Sequence, residues 1–415
     1  MSLPFEHVTV VGMGYIGLPT AAVLASAGLN VVGVDINPDT VETINRGEIH
    51  IVEPALYELV RKTVMTGRLR ATNLPESADA FIIAVPTPFK GKHEPDLSYI
   101  EAATRSIAPH LKKGDLVILE STSPVGTTEQ MTLWLAQARP DLRFPMEGDA
   151  RADVNVAYCP ERVLPGKVIA ELVSNDRVIG GVTSQCSARA QALYQHFVKG
   201  ECILTNARTA EMCKLTENSF RDVNIAFANE LSLICDKMDI NVWELIRLAN
   251  HHPRVNILNP GPGVGGHCIA VDPWFIVDSA PELAKLIATA RAVNDSKPQY
   301  VVDKVRAAAS RFDTPVVACL GLAFKADIDD LRQSPALQIV EMLAKESMRL
   351  LVVEPFVTAL PKEFLGSDNV FLVSLEAALK AADIVVGLVD HTSFKRVDCE
   401  TLKLKTVIDA RGIWG

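Results

Sequence analysis

The run from His7 to Asp35 constrains the fold of this chain more than any other segment. His7–Val11 (HVTVV) is apolar without alternation, the pattern of a strand buried on both faces of a parallel sheet. Gly12-Met13-Gly14-Tyr15-Ile16-Gly17 follows at once, then a helical stretch, Leu18–Ala27, and a second strand, Val31–Val34, ending in Asp35. Glycines between a buried strand and a helix allow a tight turn, let a phosphate approach the backbone, and let the helix pack closely. The phosphates then meet the helix N-terminus, whose unpaired N–H groups favour anions. With both strands and the acid in place, the segment predicts a dinucleotide-binding, Rossmann-like unit. Asp35 is positioned for the ribose hydroxyls and would repel a 2′-phosphate, so NAD is expected over NADP. The candidate cofactor contacts are Gly12, Gly14, Tyr15, Ile16, Gly17 and Asp35. The competing reading is a glycine turn in another kind of α/β protein.

Two more strands follow, Ala80–Val85 and Leu116–Glu120, with Thr87 and Ser121–Gly126 at their carboxyl ends, where open α/β sheets bind ligands. Thr87 and Thr128 are candidate hydrogen-bonding partners for NAD, although hydroxyls at strand ends also cap helices. The last third repeats the grammar. Val316–Leu320 with Gly321 parallels the first strand and its glycine, Leu350–Val353 ends in Glu354, Ala382–Val389 parallels the stretch before Pro86, and Thr406–Ile408 runs into Asp409. This second unit lacks the full glycine fingerprint, so it is expected to bind a different nucleotide or to be an inert duplicate. Between the two, Thr209–Asp236 reads as one long helix with apolar residues at Leu215, Phe220, Val223, Phe227, Leu231 and Ile234, followed by a helical Val242–Leu248. The expected fold is α/β, with two Rossmann-like doubly wound parallel-sheet domains joined by a helical middle section. The domains are placed at 1–200, 201–300 and 301–415, and the middle section is a natural homodimer surface.

After Pro253, Pro260 and Pro262 break the helical pattern, the chain reaches GPGVGGHCIAVDP, where Cys268 stands in a glycine-rich loop with Asp272 four residues on. Such a loop lets a ligand come close to the backbone at Gly265. A thiol beside a redox cofactor can capture an aldehyde covalently while hydride leaves, whereas the plain reading is a small buried apolar cysteine. The eight cysteines are scattered and form no Cys-x-x-Cys pair, which points to reduced thiols in a cytoplasmic protein. A formal net charge of −9 provides no basic surface for nucleic acid. No apolar run approaches ~18 residues, so no membrane span is expected, and the N-terminus does not read as a signal peptide.

In combination and order, Gly12–Gly17, Ser121–Gly126, Pro160-Glu161, Lys214-x-x-x-Asn218, Gly265-Gly266-x-Cys268 with Asp272, and Phe324-Lys325-x-Asp327 with Arg332 and Ser334 resemble the UDP-glucose/GDP-mannose dehydrogenase family over essentially the whole chain. That resemblance implies an N-terminal NAD domain, a helical dimerisation section and a C-terminal UDP-sugar domain. It also implies oxidation of a sugar's carbon-6 alcohol to a carboxylate in two hydride steps. Glucose-type members carry a lysine directly before the aspartate of the cysteine loop, where this chain has Val271. The segments GPGVGGHCIAVDP, Pro160–Gly166, Asn45–Pro54 and Phe220–Ser232 are similar to the branch acting on N-acetylated UDP-hexosamines. Mannosamine is preferred to glucosamine on resemblance alone, with the uronic acid destined for bacterial surface polysaccharide of the enterobacterial common antigen type.

The resemblance also assigns roles. Cys268 is the nucleophile, Lys214 and Asn218 stabilise the oxyanions, and Glu161 is the first choice of base for the hydrolytic water, with Asp272 beside the thiol. Arg162, Val163, Lys214, Asn218, Arg221, His252, Arg254, Gly265, Lys325 and Arg411 are the candidate UDP-sugar contacts, since diphosphates call for arginine, lysine and backbone N–H groups. Arg332 is expected to reach the NAD, and Arg254 the partner subunit's UDP-sugar. Three rival readings compete with this one. A zinc alcohol dehydrogenase would use His251, His252, His267, Cys268 and Asp272, but the spacing fits no catalytic zinc set, so no metal is expected. A non-catalytic UDP-sugar-binding module would have no use for Lys214 and Cys268, and a one-step hydroxy-acid dehydrogenase none for Cys268.

Overall fold

The structure is a computed structural model that describes residues 5–51, 53–91, 93–146, 151–164, 166–266 and 268–414. The chain divides into two compact units, Met1–Glu217 and Asn218–Gly415. The first contains strands β1 (His7–Val11), β2 (Asn30–Val34), β3 (Leu69–Thr72), β4 (Ala80–Ile83), β5 (Phe89–Lys90), β6 (Glu94–Pro95), β7 (Leu116–Leu119), β8 (Asn155–Tyr158), β9 (Arg177–Gly181) and β10 (Cys202–Asn206). Eight of them form one sheet in the order β10-β9-β8-β7-β4-β1-β2-β3, and β5 pairs with β6 in a small separate ribbon. Every neighbouring pair of the large sheet is parallel except β8 with β9. The sheet is therefore mixed rather than wholly parallel, as the sequence reading had it. β4, β7 and β8 are buried at every position, because helices cover both faces. From β1 the strand order runs one way to β2 and the other way to β4, which creates a topological switch point at the carboxyl ends of β1 and β4.

The second unit has β11 (Val316–Leu320), β12 (Arg349–Val353), β13 (Val370–Leu372), β14 (Ile384–Gly387) and β15 (Thr406–Asp409) in the order β13-β12-β11-β14-β15, all parallel. It is a second Rossmann-like sheet with its own switch point between β11 and β14. The middle of the chain is helical: Ala207–Lys237, Val242–Ala249 and the 25-residue helix Lys285–Ala309. This last helix is absent from the sequence reading, and Pro298 lies inside it.

The apolar pattern of the Ala207–Lys237 helix serves two surfaces. Leu215 is buried, whereas Phe220, Phe227 and Ile234 are 67%, 50% and 47% exposed. They recur every seven residues and form a stripe along the helix.

Candidate active site

The three glycines of the first loop differ in what excludes a side chain. Gly12 has φ +93°, and a Cβ there would lie 2.6 Å from the Ala84 carbonyl oxygen at the switch point. At Gly17 it would meet the Gly12 carbonyl oxygen at 1.7 Å. A Cβ on Gly14 would meet nothing within 4 Å. The protein's own packing therefore requires Gly12 and Gly17, while the space beside Gly14 is left open for something else. The helix Gly17–Ser26 starts without a side-chain cap; Leu18 and Thr20 donate their N–H groups to the Gly14 and Ile16 carbonyls, and Pro19 has none. The Met13 N–H donates to Asp35 Oδ2 at 3.0 Å and the Asn37 N–H to Oδ1 at 2.9 Å, which fixes the carboxylate at the end of β2. Tyr15 and Ile16 are half-buried beside it.

At the ends of β4 and β7, the hydroxyls of Thr87 and Ser123 are buried without a hydrogen-bond partner, an expensive arrangement unless a ligand supplies polar atoms. These observations fit a bound dinucleotide. Thr128 is placed differently from expectation. Its hydroxyl donates to Glu211 Oε1 at 2.6 Å, and the N–H groups of Gly126 and Thr128 also end on the Glu211 carboxylate. Any contact Thr128 makes with a nucleotide can use only its lone pairs.

The loop after β8 holds the next group. Glu161 is buried: Oε1 accepts the Arg162 N–H at 2.7 Å, Oε2 accepts from Arg177 Nη1 at 3.2 Å, and its backbone carbonyl accepts from Lys214 Nζ at 2.6 Å. Arg162 is spent on Glu217, with Nη2–Oε1 at 2.6 Å and Nε–Oε2 at 3.1 Å, so the structure does not offer its guanidinium to a diphosphate as the sequence reading had it. Val163 is half-buried in the same loop. Behind Glu161 lies a network absent from the sequence reading. Arg177 is 3% exposed, and Glu120 lies at 3.9 Å from it while accepting from Tyr194 OH at 2.8 Å and from Thr20 Oγ1 at 3.3 Å. Burial pushes the Glu120 pKa up to about 7 against the pull of Arg177. Ion-paired residues that are far apart in sequence leave no local signal.

In the second unit, Cys268 is half-buried, and its carbonyl accepts the N–H groups of Val271 at 3.0 Å and Asp272 at 2.8 Å. The turn so closed leads directly into the helix Asp272–Ser279. Asp272 is buried, and its Oδ2 accepts from Asn218 Nδ2. Carboxylate and amide therefore meet four residues after Cys268, while Lys214, one turn before Asn218 on the same helix, is tied to the Glu161 loop.

The glycines of the cysteine loop are required by packing. A Cβ at Gly265 would lie 2.6 Å from the Gln333 carbonyl oxygen and 2.6 Å from Pro335 Cδ, and one at Gly266 would lie 2.9 Å from the Phe324 ring. The loop is seated on the Phe324–Pro335 segment, and this contact is what excludes side chains. Upstream, Asn229 Oδ1 accepts the Gly261 N–H at 2.8 Å, and Arg411 lies beside Gly261 while pairing with Asp390 at 2.8 Å. Burial raises the Asp390 pKa, but Arg411 and Lys395 prevail and bring it down to about 2.

Lys325 is half-buried; Arg221, His252 and Arg254 are exposed, and the Arg254 N–H donates to His252 Nδ1 at 3.3 Å. Arg332 forms a two-pronged pair with Asp330, its nearest contact being 2.6 Å. In this unit the acid after the second strand is closed off from ligands. Glu354 accepts the N–H groups of Leu322, Ala323 and Phe356 and lies 3.2 Å from His391 Nε2, whose Nδ1 accepts the Asp327 N–H at 2.9 Å. Asp35 has no such histidine. Among the described residues no group of three or more His, Cys, Asp or Glu is arranged to hold a metal ion; His267 lies outside the described residues.

Comparison with known proteins decides the family. Three models of the UDP-glucose/GDP-mannose dehydrogenase family match in order: the NAD binding domain at residues 6–198, the central domain at 208–296 and the UDP binding domain at 318–415. The chain belongs to this family. As a UDP-glucose/GDP-mannose dehydrogenase family member it is an NAD-dependent dehydrogenase, and NAD is the ligand that the Gly14 opening and the buried Thr87 and Ser123 hydroxyls fit. Among its relatives, an "NDP-N-acetyl-D-galactosaminuronic acid dehydrogenase" of Ralstonia nicotianae is 63% identical over 415 residues, covering 100% of this chain and 97% of the relative. A "UDP-N-acetyl-D-mannosamine dehydrogenase" of Yersinia pestis is 62% identical over 421 residues, covering 99% and 100%. The solved structure of a UDP-D-ManNAc dehydrogenase from Pyrococcus horikoshii superposes with a TM-score of 0.88 at 40% identity, covering 99% of this chain and 96% of that one. No helix among the described residues is long and apolar enough to cross a membrane.

Proposed function

We propose that the protein oxidises the carbon-6 alcohol of UDP-N-acetyl-D-mannosamine to the carboxylate, through a thiohemiacetal and then a thioester on Cys268. The observation that carries this reading is the Cys268 turn closed onto Asp272 with Asn218 bound to the carboxylate, in a family whose relatives named for this substrate are 62% identical over nearly the full chain. NAD, bound as two molecules in turn, would supply the hydride acceptor for each of the two oxidations. The chain does the rest. The Cys268 thiolate adds to the aldehyde carbon, Lys214 and Asn218 stabilise the oxyanion, and hydride loss leaves a thioester. Water then releases the acid and restores the thiol.

Asp272, which begins the helix next to the thiol, is the base we assign to that water. Glu161 has both carboxylate oxygens committed to Arg162 and Arg177 and instead holds Lys214 by its carbonyl. Lys325 and Arg411 are the cations we assign to the UDP moiety, and Asp35 and Gly14 the NAD contacts. The protein works in the cytoplasm as a homodimer built on the Phe220–Phe227–Ile234 stripe, and its product feeds a surface polysaccharide of the enterobacterial common antigen type. A second reading, oxidation of the galacto-configured N-acetylated sugar nucleotide, is favoured by the name of the 63%-identical relative.

The deciding experiment offers UDP-N-acetyl-D-mannosamine, UDP-N-acetyl-D-galactosamine, UDP-N-acetyl-D-glucosamine and UDP-glucose with NAD and counts NADH per sugar. Two NADH per UDP-N-acetyl-D-mannosamine, with the others much slower, is the expected result. Preference for UDP-glucose would overturn the branch, and one NADH per sugar would overturn the covalent route.

A further inference from the structure

A cleft of about 440 Å³ opens in the second unit where the end of the Ala207–Lys237 helix, the Lys285–Ala309 helix and β15 meet. Its size is that of a small-molecule site, and none of the residues assigned above to catalysis or to UDP lines it. Its floor is Lys297, 5% exposed, whose Nζ donates to Ser232 Oγ at 2.8 Å and lies 5.1 Å from the centroid of the Tyr300 ring. No carboxylate among the described residues lies within 4 Å of it. The nearest candidate, Asp236, is spent on Lys304 at 2.7 Å and on the Tyr300 hydroxyl. A buried ammonium held by one hydroxyl and an aromatic ring, without a carboxylate beside it, is costly. Burial, with Lys304 adding repulsion, brings the Lys297 pKa down to about 8.

We propose that this cleft is a second ligand site, for a small polyhydroxylated carboxylate of the uronate class. One anionic group on the ligand would complete Lys297. Besides the paired Lys304 and Asp236, the cleft is lined by two more carboxylates: Asp239, exposed and with φ 56°, and Asp409, whose oxygens accept the Arg411 and Trp414 N–H groups. Those carboxylates disfavour dianions and accept hydrogen bonds from hydroxyls. Trp243, Pro260 and Val407 give the apolar wall against which the C–H face of a sugar ring packs. Resting on the function proposed above, the chemistry supplies a reason for the site. The reaction turns a hydroxymethyl group on a sugar ring into a carboxylate, so the ligand class of the cleft is that of the sugar acid the enzyme makes, and its carboxylate can pair with Lys297.

The test is titration calorimetry on the whole protein saturated with UDP, using D-glucuronate, D-glucose and inorganic phosphate as probes. Glucuronate should bind, glucose should not, and phosphate should bind more weakly than glucuronate. Near pH 8 binding should take up protons, seen as heats that depend on the buffer's ionisation enthalpy. Lys297→Met should weaken glucuronate about tenfold to a hundredfold, the scale of losing a hydrogen bond to a charged group, with turnover of the UDP-sugar unchanged. Asp239→Ala, at an exposed position, keeps the test open if Lys297→Met fails to fold, and should also weaken glucuronate. No glucuronate binding, equal binding of glucose, or affinity unchanged in the variants would overturn the proposal. A dead turnover assay with intact glucuronate binding would instead sink the functional reading and leave the cleft standing.

Discussion

Replacing Gly14 by alanine separates what the fold needs from what the cofactor needs. A Cβ at this position meets no atom within 4 Å, and Gly14 is absent from the residues with positive φ. The folded chain can accept the methyl, and the lost freedom of the unfolded chain should stabilise the protein by roughly 0.4–1 kcal/mol. The same methyl stands where the pyrophosphate would approach the backbone. Losing one charge-assisted hydrogen bond there costs about 1.5–3 kcal/mol, or about tenfold to a hundredfold in NAD affinity. Gly12→Ala is the control. It would force φ +93° on an alanine and put its Cβ 2.6 Å from the Ala84 oxygen, so it should lose more than about 1–3 kcal/mol of stability from backbone strain alone. The assay pairs thermal unfolding without ligand with an NAD titration followed by tryptophan fluorescence. If Gly14→Ala bound NAD like the parent, the open space would not be the pyrophosphate site. If it unfolded like Gly12→Ala, the packing argument would fail.

Cys268→Ser should stall with an ester-linked uronyl adduct, seen as a mass gain on the peptide carrying residue 268, while Cys268→Ala loses several orders of magnitude in turnover; near-normal turnover by Cys268→Ala would make the thiol structural. Asp35→Ala should raise the NAD requirement and relax discrimination against NADP, measured as the ratio of kcat/KM values for the two cofactors; an unchanged ratio would rule out the selection role. Glu120 has a folded pKa raised from 4.5 to about 7, so its share of stability is full below 4.5 and lost as pH rises to about 7, on the order of 3 kcal/mol. Denaturant titrations across that range should show the loss in the parent and not in Glu120→Gln; parallel curves would refute the assignment. Phe220→Asp with Phe227→Asp should yield a monomer by sedimentation if the exposed stripe is the dimer surface, and an unaltered oligomer would exclude it.

The sequence by itself determined what repeats locally. β1 and β11 were legible because a strand covered on both faces is written as an unbroken apolar run ending in glycine, and Asp35 because it closes the second such run. The Ala207–Lys237 helix was legible from its spacing. Tertiary structure alone decided what depends on partners distant in the chain. It showed that Gly12 and Gly17 answer to packing and Gly14 does not, since the Ala84 carbonyl crowds the first and the Gly12 carbonyl the second. It showed that the glycines of the cysteine loop also seat that loop on Phe324 and Pro335. It brought Arg177 and Glu120 together behind Glu161 and gave Arg162 to Glu217. It carried the Lys285–Ala309 helix past Pro298, because burial of one face outweighs the lost hydrogen bond. Period and turn chemistry are properties of neighbours in sequence, whereas burial, charge pairing and the space beside a glycine exist only once distant segments have met.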